Sequence, residues 1–301
     1  MKSDGILVID KPAGPTSHDM VNKVRRILKT RRVGHAGTLD PFATGVLVVC
    51  FGRATRLSQY LSSDDKEYVA KMFLGFETDT GDLTGKMLGE ESHTGQISET
   101  QIRVVFEEFV GEIEQIPPMY AAKKVGGKKL YDLARQGIEV ERRPVKLRIS
   151  NLELISHTLQ TEPRSVTFGV TCSSGTYIRV LAAEIGQRLG SGAHLLELRR
   201  TRSGNCRLSD AVTVDELDRY VEDGRLEDVT IDMKAALGLT EVILNDPDVA
   251  AVGYGRPVRA GPYLPGGLIA ALCGPGGELV GVGEFDEACN EWRPKVVLNP
   301  A

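Results

Sequence analysis

The chain has 301 residues, 41% hydrophobic and 26% charged, which is enough for one large domain and a small one. Its first apolar segment is short and ends at Asp10 and Lys11, so we expect no signal peptide, no membrane span and a cytoplasmic location. The five cysteines are widely spaced, without a C-x-x-C pair or histidines at metal-ligand spacing, and this pattern indicates reduced thiols.

The net charge of −4 conceals three basic clusters. Residues 21–33 carry six lysines and arginines and no acid, residues 123–148 carry nine against three acids, and four arginines fall within residues 199–207. Any one cluster is typical of a solvated helix face, but together they resemble the basic footprint of a nucleic-acid-binding protein. The sequence therefore favours a polyanionic ligand.

The hydrophobic pattern predicts an irregular order of strands and helices. In chain order these are a strand over residues 5–9, a helix capped by Ser17, strands over 45–51 and 67–75, a helix opened by a capping box of Ser98 and Gln101, strands over 145–155 and 166–172, and helices over 176–189 and 213–221. In the strand over 67–75, Tyr68 shares a face with three apolar residues. No βαβ repeat is present, which favours an α+β fold.

Two stretches differ from this pattern. Residues 116–144 are rich in proline, glycine and lysine, with one short helical stretch over 130–136, and long exposed insertions of this kind usually carry function. From about residue 239 the chain is rich in glycine, proline and valine without a helical period. That composition predicts a small β-barrel-like module.

Candidate chemistry rests on side chains, because the sequence contains no phosphate-binding loop, no dinucleotide fingerprint and no H-E-x-x-H motif. We therefore expect no cofactor and no metal. In residues 34–45, glycines and a proline enclose His35 and Asp40 immediately before a strand. Arg179 lies in the first turn of a predicted helix, where a cation is disfavoured unless it has an anionic partner. On residue type alone, an ordinary turn is the more typical role for Asp40-Pro41, and a surface position is as typical for Arg179 as an anionic partner.

Four segments, in this order, resemble the TruB family of bacterial tRNA pseudouridine-55 synthases. They are residues 10–18, residues 34–45, residues 117–124 with Tyr131, and residues 174–179 followed by Leu198-Arg199-Arg200. Two positions depart from the family pattern: Ala121 replaces a usual serine, and Asn205-Cys206 stands where an apolar residue commonly follows Ser203-Gly204.

The resemblance implies a fold and a domain organisation. It implies the α+β pseudouridine synthase fold, with a mixed, mainly antiparallel sheet and flanking helices, plus a small C-terminal β-barrel-like PUA domain. The catalytic domain would span residues 1–238, with an RNA-binding insertion at about 117–144. The PUA-like RNA-binding domain would span residues 239–301.

The resemblance also implies an activity. The family converts uridine 55 in the T arm of tRNA to pseudouridine: the N-glycosidic bond breaks, uracil turns in its pocket, and C5 joins C1′. Asp40 would be the catalytic aspartate, acting at C1′ as a nucleophile or at the C2′ proton as a base, with Arg179 keeping it ionised. Tyr68 would stack on the extruded uracil and is also the catalytic candidate for removing the C5 proton, for which a phenol with a pKa of about 10 is a poor base unless that pKa is shifted.

Further residues follow from the same resemblance. His35 would support the opened arm, Tyr177 and Leu198 would line the uracil pocket, and Lys11 would support the site from a neighbouring loop. The phosphate contacts would come from the insertion lysines, namely Lys123, Lys124, Lys128 and Lys129. The implied partner is tRNA, through its T-arm stem-loop, with no obligatory protein partner and no membrane.

Three other interpretations of the sequence compete with that of a stand-alone tRNA pseudouridine synthase. The first is a non-catalytic tRNA-binding chaperone, which would use the same basic surface without turnover. The second is a guide-RNA-dependent pseudouridine synthase subunit, which would share Asp40 and need protein partners. The third is a glycoside hydrolase, which needs a second carboxylate at roughly 5–10 Å, and no paired acidic motif is evident in the sequence.

Overall fold

The computed structural model describes residues 3–90, 97–120, 124–125, 128–129, 136–138, 140–161, 163–261 and 268–298. At 124–125 and 128–129 only the backbone is described. Within these ranges no helix is both long enough and apolar enough to cross a membrane.

A nine-stranded sheet forms the larger part of the molecule, in the order β1-β3-β12-β4-β11-β10-β7, with β2 beside β3 and β13 beside β12. Its strands are β1 Gly5–Lys11, β2 Val33–Ala36, β3 Thr44–Phe51, β4 Lys66–Leu74, β7 Gly111–Gln115, β10 Val145–Thr158, β11 Ser165–Cys172, β12 Ala193–Ser203 and β13 Cys206–Arg207. Two small hairpins stand apart: β5 Glu77–Thr78 with β6 Met87–Leu88, and β8 Lys124–Val125 with β9 Lys128–Lys129. In the large sheet only the β3–β12 pairing is parallel among the described strands, so the mixed, mainly antiparallel prediction is confirmed.

Helices cover the sheet on both faces. They are α1 Ser17–Ile27, α2 Ser58–Ser63, α3 Glu99–Phe109, α4 Ile178–Arg188, α5 Val214–Glu222 and α6 Met233–Leu237. Strand β3 explains the arrangement, because Leu47 and Val49 join a core with α1, α3 and α4, whereas Val46 and Val48 join a second core with α2 and α6. The sequence of a strand that is buried on both faces is a continuous run of apolar residues, and residues 45–51 show this pattern.

The start of α1 corrects one prediction. The N-cap is Thr16, which exchanges capping-box hydrogen bonds with Asp19, and Ser17 is the first helical residue. The Ser17 hydroxyl instead accepts from the Leu39 amide at 2.9 Å and donates to the Leu39 carbonyl at 3.0 Å. This buried hydroxyl therefore fastens α1 to the loop that carries Asp40.

The C-terminal region forms a separate five-stranded sheet in the order β14-β16-β17-β18-β15. Its strands are β14 Glu241–Ile243, β15 Val258–Arg259, β16 Ile269–Cys273, β17 Leu279–Asp286 and β18 Glu291–Val297, and Trp292 is buried in its core. The expectation that this region has no helix was wrong, because α7 spans Asp246–Gly253. Its start has clear local signals: Asn245 accepts from the Asp248 amide, and a proline occupies the first turn.

Cysteine placement agrees with structural thiols. All five cysteines are free, four of them buried and Cys289 exposed. Burial raises the pKa of Cys50 to about 12, so that thiol stays protonated at neutral pH.

Candidate active site

Asp40 lies in the loop between β2 and β3, and Lys11 holds that loop from behind. The Lys11 ammonium donates to the carbonyls of Pro12 at 2.9 Å, Pro41 at 3.1 Å and Ala43 at 2.7 Å. Its side chain is fully buried, and burial lowers the pKa of Lys11 to about 8, against the opposing charge of Asp40. Lys11 thus fixes the backbone of the loop that carries Asp40 without lining the pocket.

Arg200 holds the near side of the same loop. Its guanidinium donates to the Val46 carbonyl at 2.7 Å and to the Gly37 carbonyl at 3.1 Å, and only 1% of the residue is exposed. The parallel pairing of β3 with β12 brings the Arg200 backbone so close to Gly45 that a Cβ there would lie 2.2 Å from the Arg200 carbonyl oxygen. Gly45 is therefore required for this approach, and its φ of +97° also favours glycine.

Arg179 makes a two-point contact with Asp40. Its Nε lies 2.9 Å from Asp40 Oδ2, and its Nη2 donates to Asp40 Oδ1 at 3.4 Å. The other N–H groups donate to the carbonyls of Thr80 at 2.6 Å and Tyr120 at 2.7 Å. The Arg179 side chain is 5% exposed and that of Asp40 is 35% exposed. The arginine is therefore fixed in a buried frame, and the carboxylate stays open to the pocket.

A second carboxylate lies behind this arginine. Asp82 Oδ2 lies 3.9 Å from Arg179 Nε, and its side chain is 7% exposed. Its other oxygen accepts from the Thr80 hydroxyl at 2.9 Å and from the Thr84 amide at 2.9 Å. Asp82 was missed in the sequence, where the Thr-Gly-Asp-Leu-Thr turn was its only signal. It does not line the pocket, so Asp40 is the one carboxylate among the described residues that does.

The pocket itself has a volume of about 320 Å³. Aromatic and apolar walls come from Tyr68 on β4, Tyr177 before α4 and Leu198 on β12. Burial raises the pKa of Tyr68, with nearby Arg200 opposing, and burial likewise raises the pKa of Tyr177. Both phenols are therefore neutral at neutral pH. The walls suit a flat, uncharged ring.

A third cation, Lys66, lines the pocket beside Arg200. Its ammonium donates to the carbonyls of Ser62, at 2.7 Å, and of Asp64. Burial lowers the pKa of Lys66 to about 8. The sequence did not single out Lys66 or Arg200 as site residues, because a lysine or arginine on a strand ordinarily indicates an exposed position.

The structure brings five of the predicted site residues together in the pocket lining and leaves Lys11 and His35 outside it. Asp40, Tyr68, Tyr177, Arg179 and Leu198 line the pocket together. Lys11 lies behind the loop, and partly buried His35 sits in β2 opposite Val49, outside the lining.

The insertion is only partly described. Lys124, Lys128 and Lys129 lie in the β8–β9 hairpin, whose side chains are outside the described part. Lys123, Ala121, Tyr131 and most of the predicted helical stretch over 130–136 also lie outside it. Another basic surface lies on and after α1, where five cations are exposed: Lys23, Arg26, Lys29, Arg31 and Arg32.

Solved structures resemble the whole chain. A chain of a Cbf5-Nop10-Gar1 complex matches with a TM-score of 0.78 and 32% identity, covering 99% of this chain and 86% of that one. A chain of the archaeal box H/ACA sRNP Nop10-Cbf5 complex matches with a TM-score of 0.72 and 30% identity, covering 99% and 87%. The fold is the pseudouridine synthase fold with a small curled C-terminal sheet, and the sequence prediction of it is confirmed.

The sequence comparisons define the class more closely. Residues 25–178 match the N-terminal domain of TruB family pseudouridylate synthases, and residues 179–244 match the tRNA pseudouridylate synthase B C-terminal domain. The tRNA pseudouridine synthase B of Geobacillus kaustophilus is 45% identical over 264 residues, covering 87% of this chain and 93% of that protein. That of Dechloromonas aromatica is 42% identical over 295 residues, covering 98% and 95%.

Fold and sequence together define an enzyme of the pseudouridylate synthase class. Within that class, the chain belongs to the TruB family.

Proposed function

We propose that this enzyme isomerises uridine 55 in the T arm of tRNA to pseudouridine, with Asp40 as its catalytic carboxylate. The observation that carries the proposal is the two-point contact of buried Arg179 with Asp40, at the edge of a pocket walled by neutral aromatic rings. The family and its tRNA-modifying relatives supply the substrate class.

The target base has to leave the RNA stack before it meets Asp40. Extrusion costs a few kcal/mol, and a pocket that stacks and encloses the base offsets that cost. In this proposal Tyr68 stacks on the uracil, and Leu198 and Tyr177, which also line the pocket, contact the base from the other walls. Tyr68 is the base-stacking residue in this proposal, because burial raises the pKa of this partly buried phenol and a neutral phenol is a weak base at neutral pH.

Asp40 acts on the ribose. It attacks C1′ as a nucleophile or removes the C2′ proton as a base, and both routes require the ionised carboxylate. Arg179 pairs with the Asp40 carboxylate and aims it, since the other Arg179 N–H groups are held by the Thr80 and Tyr120 carbonyls. Uracil, once detached, turns in the pocket and forms the C5–C1′ bond. On the nucleophilic route the Asp40–C1′ ester bond breaks as this bond forms, and on the other route the proton that Asp40 removed returns to C2′. The C5 hydrogen then leaves as a proton and N1 takes one up, so tritium at C5 is released to water.

Binding of the RNA would rest on surfaces outside the pocket. The insertion at about 117–144, with Lys123, Lys124, Lys128 and Lys129, and the exposed cations of α1 would contact phosphates, and His35 would support the opened arm. Residues 1–238 would form the catalytic domain and residues 239–301 a PUA-like RNA-binding domain. In this proposal the enzyme works in the cytoplasm without an obligatory protein partner.

Observations weigh on each rival. A glycoside hydrolase needs a second carboxylate that reaches the substrate, and Asp82, the carboxylate that shares Arg179 with Asp40, is 7% exposed and does not line the pocket. The guide-dependent reading gains from structural neighbours in Cbf5 complexes, at 30–32% identity. The higher identity of 42–46% to relatives named tRNA pseudouridine synthase B supports an enzyme that acts alone, and we favour that hypothesis for this reason. The chaperone reading does not account for an aimed carboxylate in an aromatic pocket.

Release of tritium from C5-labelled uridine in a T-arm stem-loop tests the proposal. We expect turnover by the purified chain alone, none by Asp40→Asn with tRNA binding retained, and normal turnover by the control Asp228→Asn, whose carboxylate pairs with Arg225 at the surface. Equal release by wild type and Asp40→Asn would remove Asp40 from the mechanism. Binding without turnover by the wild type would favour the chaperone, or the guide-dependent subunit if added guide RNA and proteins restored activity.

A further inference from the structure

Gln115, the last residue of β7, has a side chain with an unusual set of partners. Its Oε1 accepts from the Tyr177 amide at 3.0 Å, and its Nε2 donates to the Tyr177 carbonyl at 3.4 Å. Gln115 is 1% exposed. One buried carboxamide therefore binds both backbone polar groups of a single residue, as a neighbouring strand would.

Tyr177, the residue that Gln115 binds, belongs both to the pocket and to the start of a helix. Tyr177 lines the pocket and is also the N-cap of α4, which carries Arg179 in its first turn. The Tyr177 carbonyl accepts the first helical hydrogen bond, from the Leu181 amide at 3.0 Å. Tyr177 has no side-chain cap of its own, so Gln115 supplies the side-chain contact that fixes the start of this helix.

A second contact joins the same two segments. Five residues after Gln115, the Tyr120 carbonyl accepts from Arg179 Nη2 at 2.7 Å. Residues 115–120, which we call the stem of the insertion, therefore touch the pocket segment at Tyr177 and again at Arg179. Arg142 donates to the Pro117 carbonyl at 3.2 Å, which links the returning chain to the stem.

We propose that Gln115 is a positioning residue for the reaction, holding Tyr177 and Arg179 in register with Asp40 through the backbone of Tyr177. This role rests on the function proposed above. Gln115 does not line the pocket and touches no reacting atom. It acts because the Tyr177 ring and the Arg179 guanidinium both extend from the segment whose backbone it binds, and because the insertion begins directly after it.

Gln115→Met keeps the length of the side chain and removes both hydrogen bonds. Since a misplacement of about 1 Å at a reacting centre can cost about a hundredfold in rate, we expect the single-turnover rate to fall about tenfold to a hundredfold. The Kd for tRNA should stay within about threefold of wild type, because the phosphate-binding surfaces are unchanged. Hydrogen exchange of the Tyr177 amide should become faster.

Gln101→Met is the matched control. It makes the same chemical change at a glutamine that also binds backbone, in the capping box of α3, and Gln101 does not line the pocket. We expect a wild-type rate once both variants are assayed below their unfolding temperatures. Equal reductions in Gln101→Met and Gln115→Met, or a Gln115→Met rate within about twofold of wild type, would overturn the proposal.

Gln115→Glu tests the contact separately, and decides the matter if Gln115→Met does not fold. The carboxylate still accepts from the Tyr177 amide but cannot donate to its carbonyl, whereas the protonated acid does both. Its rate relative to wild type should rise as the pH is lowered from about 8 to about 6, since burial raises the pKa of a carboxyl. A ratio that does not change with pH would overturn the role of Gln115.

Two measurements distinguish failure of the proposed function from failure of the positioning role of Gln115: tritium release by the wild-type enzyme, and hydrogen exchange at the Tyr177 amide. Failure of the wild type to release tritium would contradict the proposed function. Unchanged exchange at the Tyr177 amide in Gln115→Met would contradict the positioning role whatever the substrate is, because that measurement needs no turnover.

Discussion

The cations of this protein fall into two groups that behave differently. The cations next to Asp40 are buried and donate mostly to backbone carbonyls; they are Lys11, Arg179 and Arg200. On α1, Lys23 and Arg26 are exposed to solvent. The first group fixes the shape of the site, and the second offers charge to a polyanion. The buried group should therefore control the reaction rate and the stability, and the exposed group the affinity for RNA.

The largest expected effect lies in the buried group. Arg179→Met removes the two-point contact with Asp40 and leaves the Thr80 and Tyr120 carbonyls without their donor. Removing one aimed charge-stabilising donor typically lowers kcat by about 10²–10³-fold, and we expect a decrease of that size in the single-turnover rate. The Kd for tRNA measured in parallel should change little. A variant that bound weakly but reacted at the normal rate would place Arg179 in the exposed group.

Asp82 sharpens the same prediction. Asp82→Asn keeps the turn hydrogen bonds available and removes the charge behind Arg179. We expect a smaller decrease in rate than in Arg179→Met, because the Arg179–Asp40 ion pair at 2.9 Å is retained. A decrease as large as that of Asp40→Asn would show that the two carboxylates act as one unit.

Arg200 and its neighbour Arg199 give a direct comparison on a single strand. Arg200→Met strips three loop and strand carbonyls of a buried donor, and we expect about 2–4 kcal/mol lower free energy of unfolding. The Arg199 side chain is 39% exposed and pairs with Asp10 at 2.8 Å, so Arg199→Met should cost less than about 1 kcal/mol. Urea unfolding measures both. Equal destabilisation would contradict the division by burial.

The exposed group should respond to salt. Replacing Lys23 or Arg26 by alanine removes charge from the outer side of α1 without touching the core. If that side binds phosphates, the slope of log Kd against log salt should shrink by about one for each phosphate that the variant no longer neutralises, with an unchanged reaction rate. Filter binding of tRNA over a salt series measures the slope. A reduced rate at saturating tRNA would place these residues in the site.

The sequence predicted the strands, the helices and the pocket-lining residues better than the buried charged residues that hold the pocket in place. Strands over 45–51 and 166–172 follow from apolar patterning that the chain carries locally. The Arg179–Asp40 meeting joins residues 139 apart, and only the family resemblance pointed to it. Asp82 and Arg200 were missed because their importance depends on which backbone reaches them in three dimensions. A lysine or arginine on a strand gives no local sign that it will be buried.

Local signals were also misassigned where two readings competed. Thr16 and Ser17 are both good N-caps, and the fold decides for Thr16 because Ser17 is needed by Leu39. Helix α7 escaped the periodicity test because only Val252 is buried along its eight residues. Short helices held by a cap rather than by an apolar face are not visible to a search for a 3.6-residue period.

The smallest expected effect is on the pH dependence of stability. Burial lowers the pKa of Lys66 to about 8, from a value near 10.5. Between these pH values the unfolded chain holds the proton that the folded protein has released, so Lys66 makes stability rise with pH there. Buried thiols such as Cys172 and Cys206, whose pKa is raised to about 11 and about 12, act in the opposite direction. The difference between wild type and a variant therefore isolates the lysine.

Lys66→Met removes that contribution, and its stability should rise less, or fall more, than that of the wild type between about pH 8 and about pH 10. Urea unfolding at the two pH values measures the difference, with Lys71→Met as the control, since Lys71 lies on the same strand but its side chain is 38% exposed. Parallel pH profiles for wild type and Lys66→Met would mean that Lys66 keeps its proton through this range. Lys66 and Arg200 would then both stay charged, and the pocket would present the same pair of cations to the RNA at either pH.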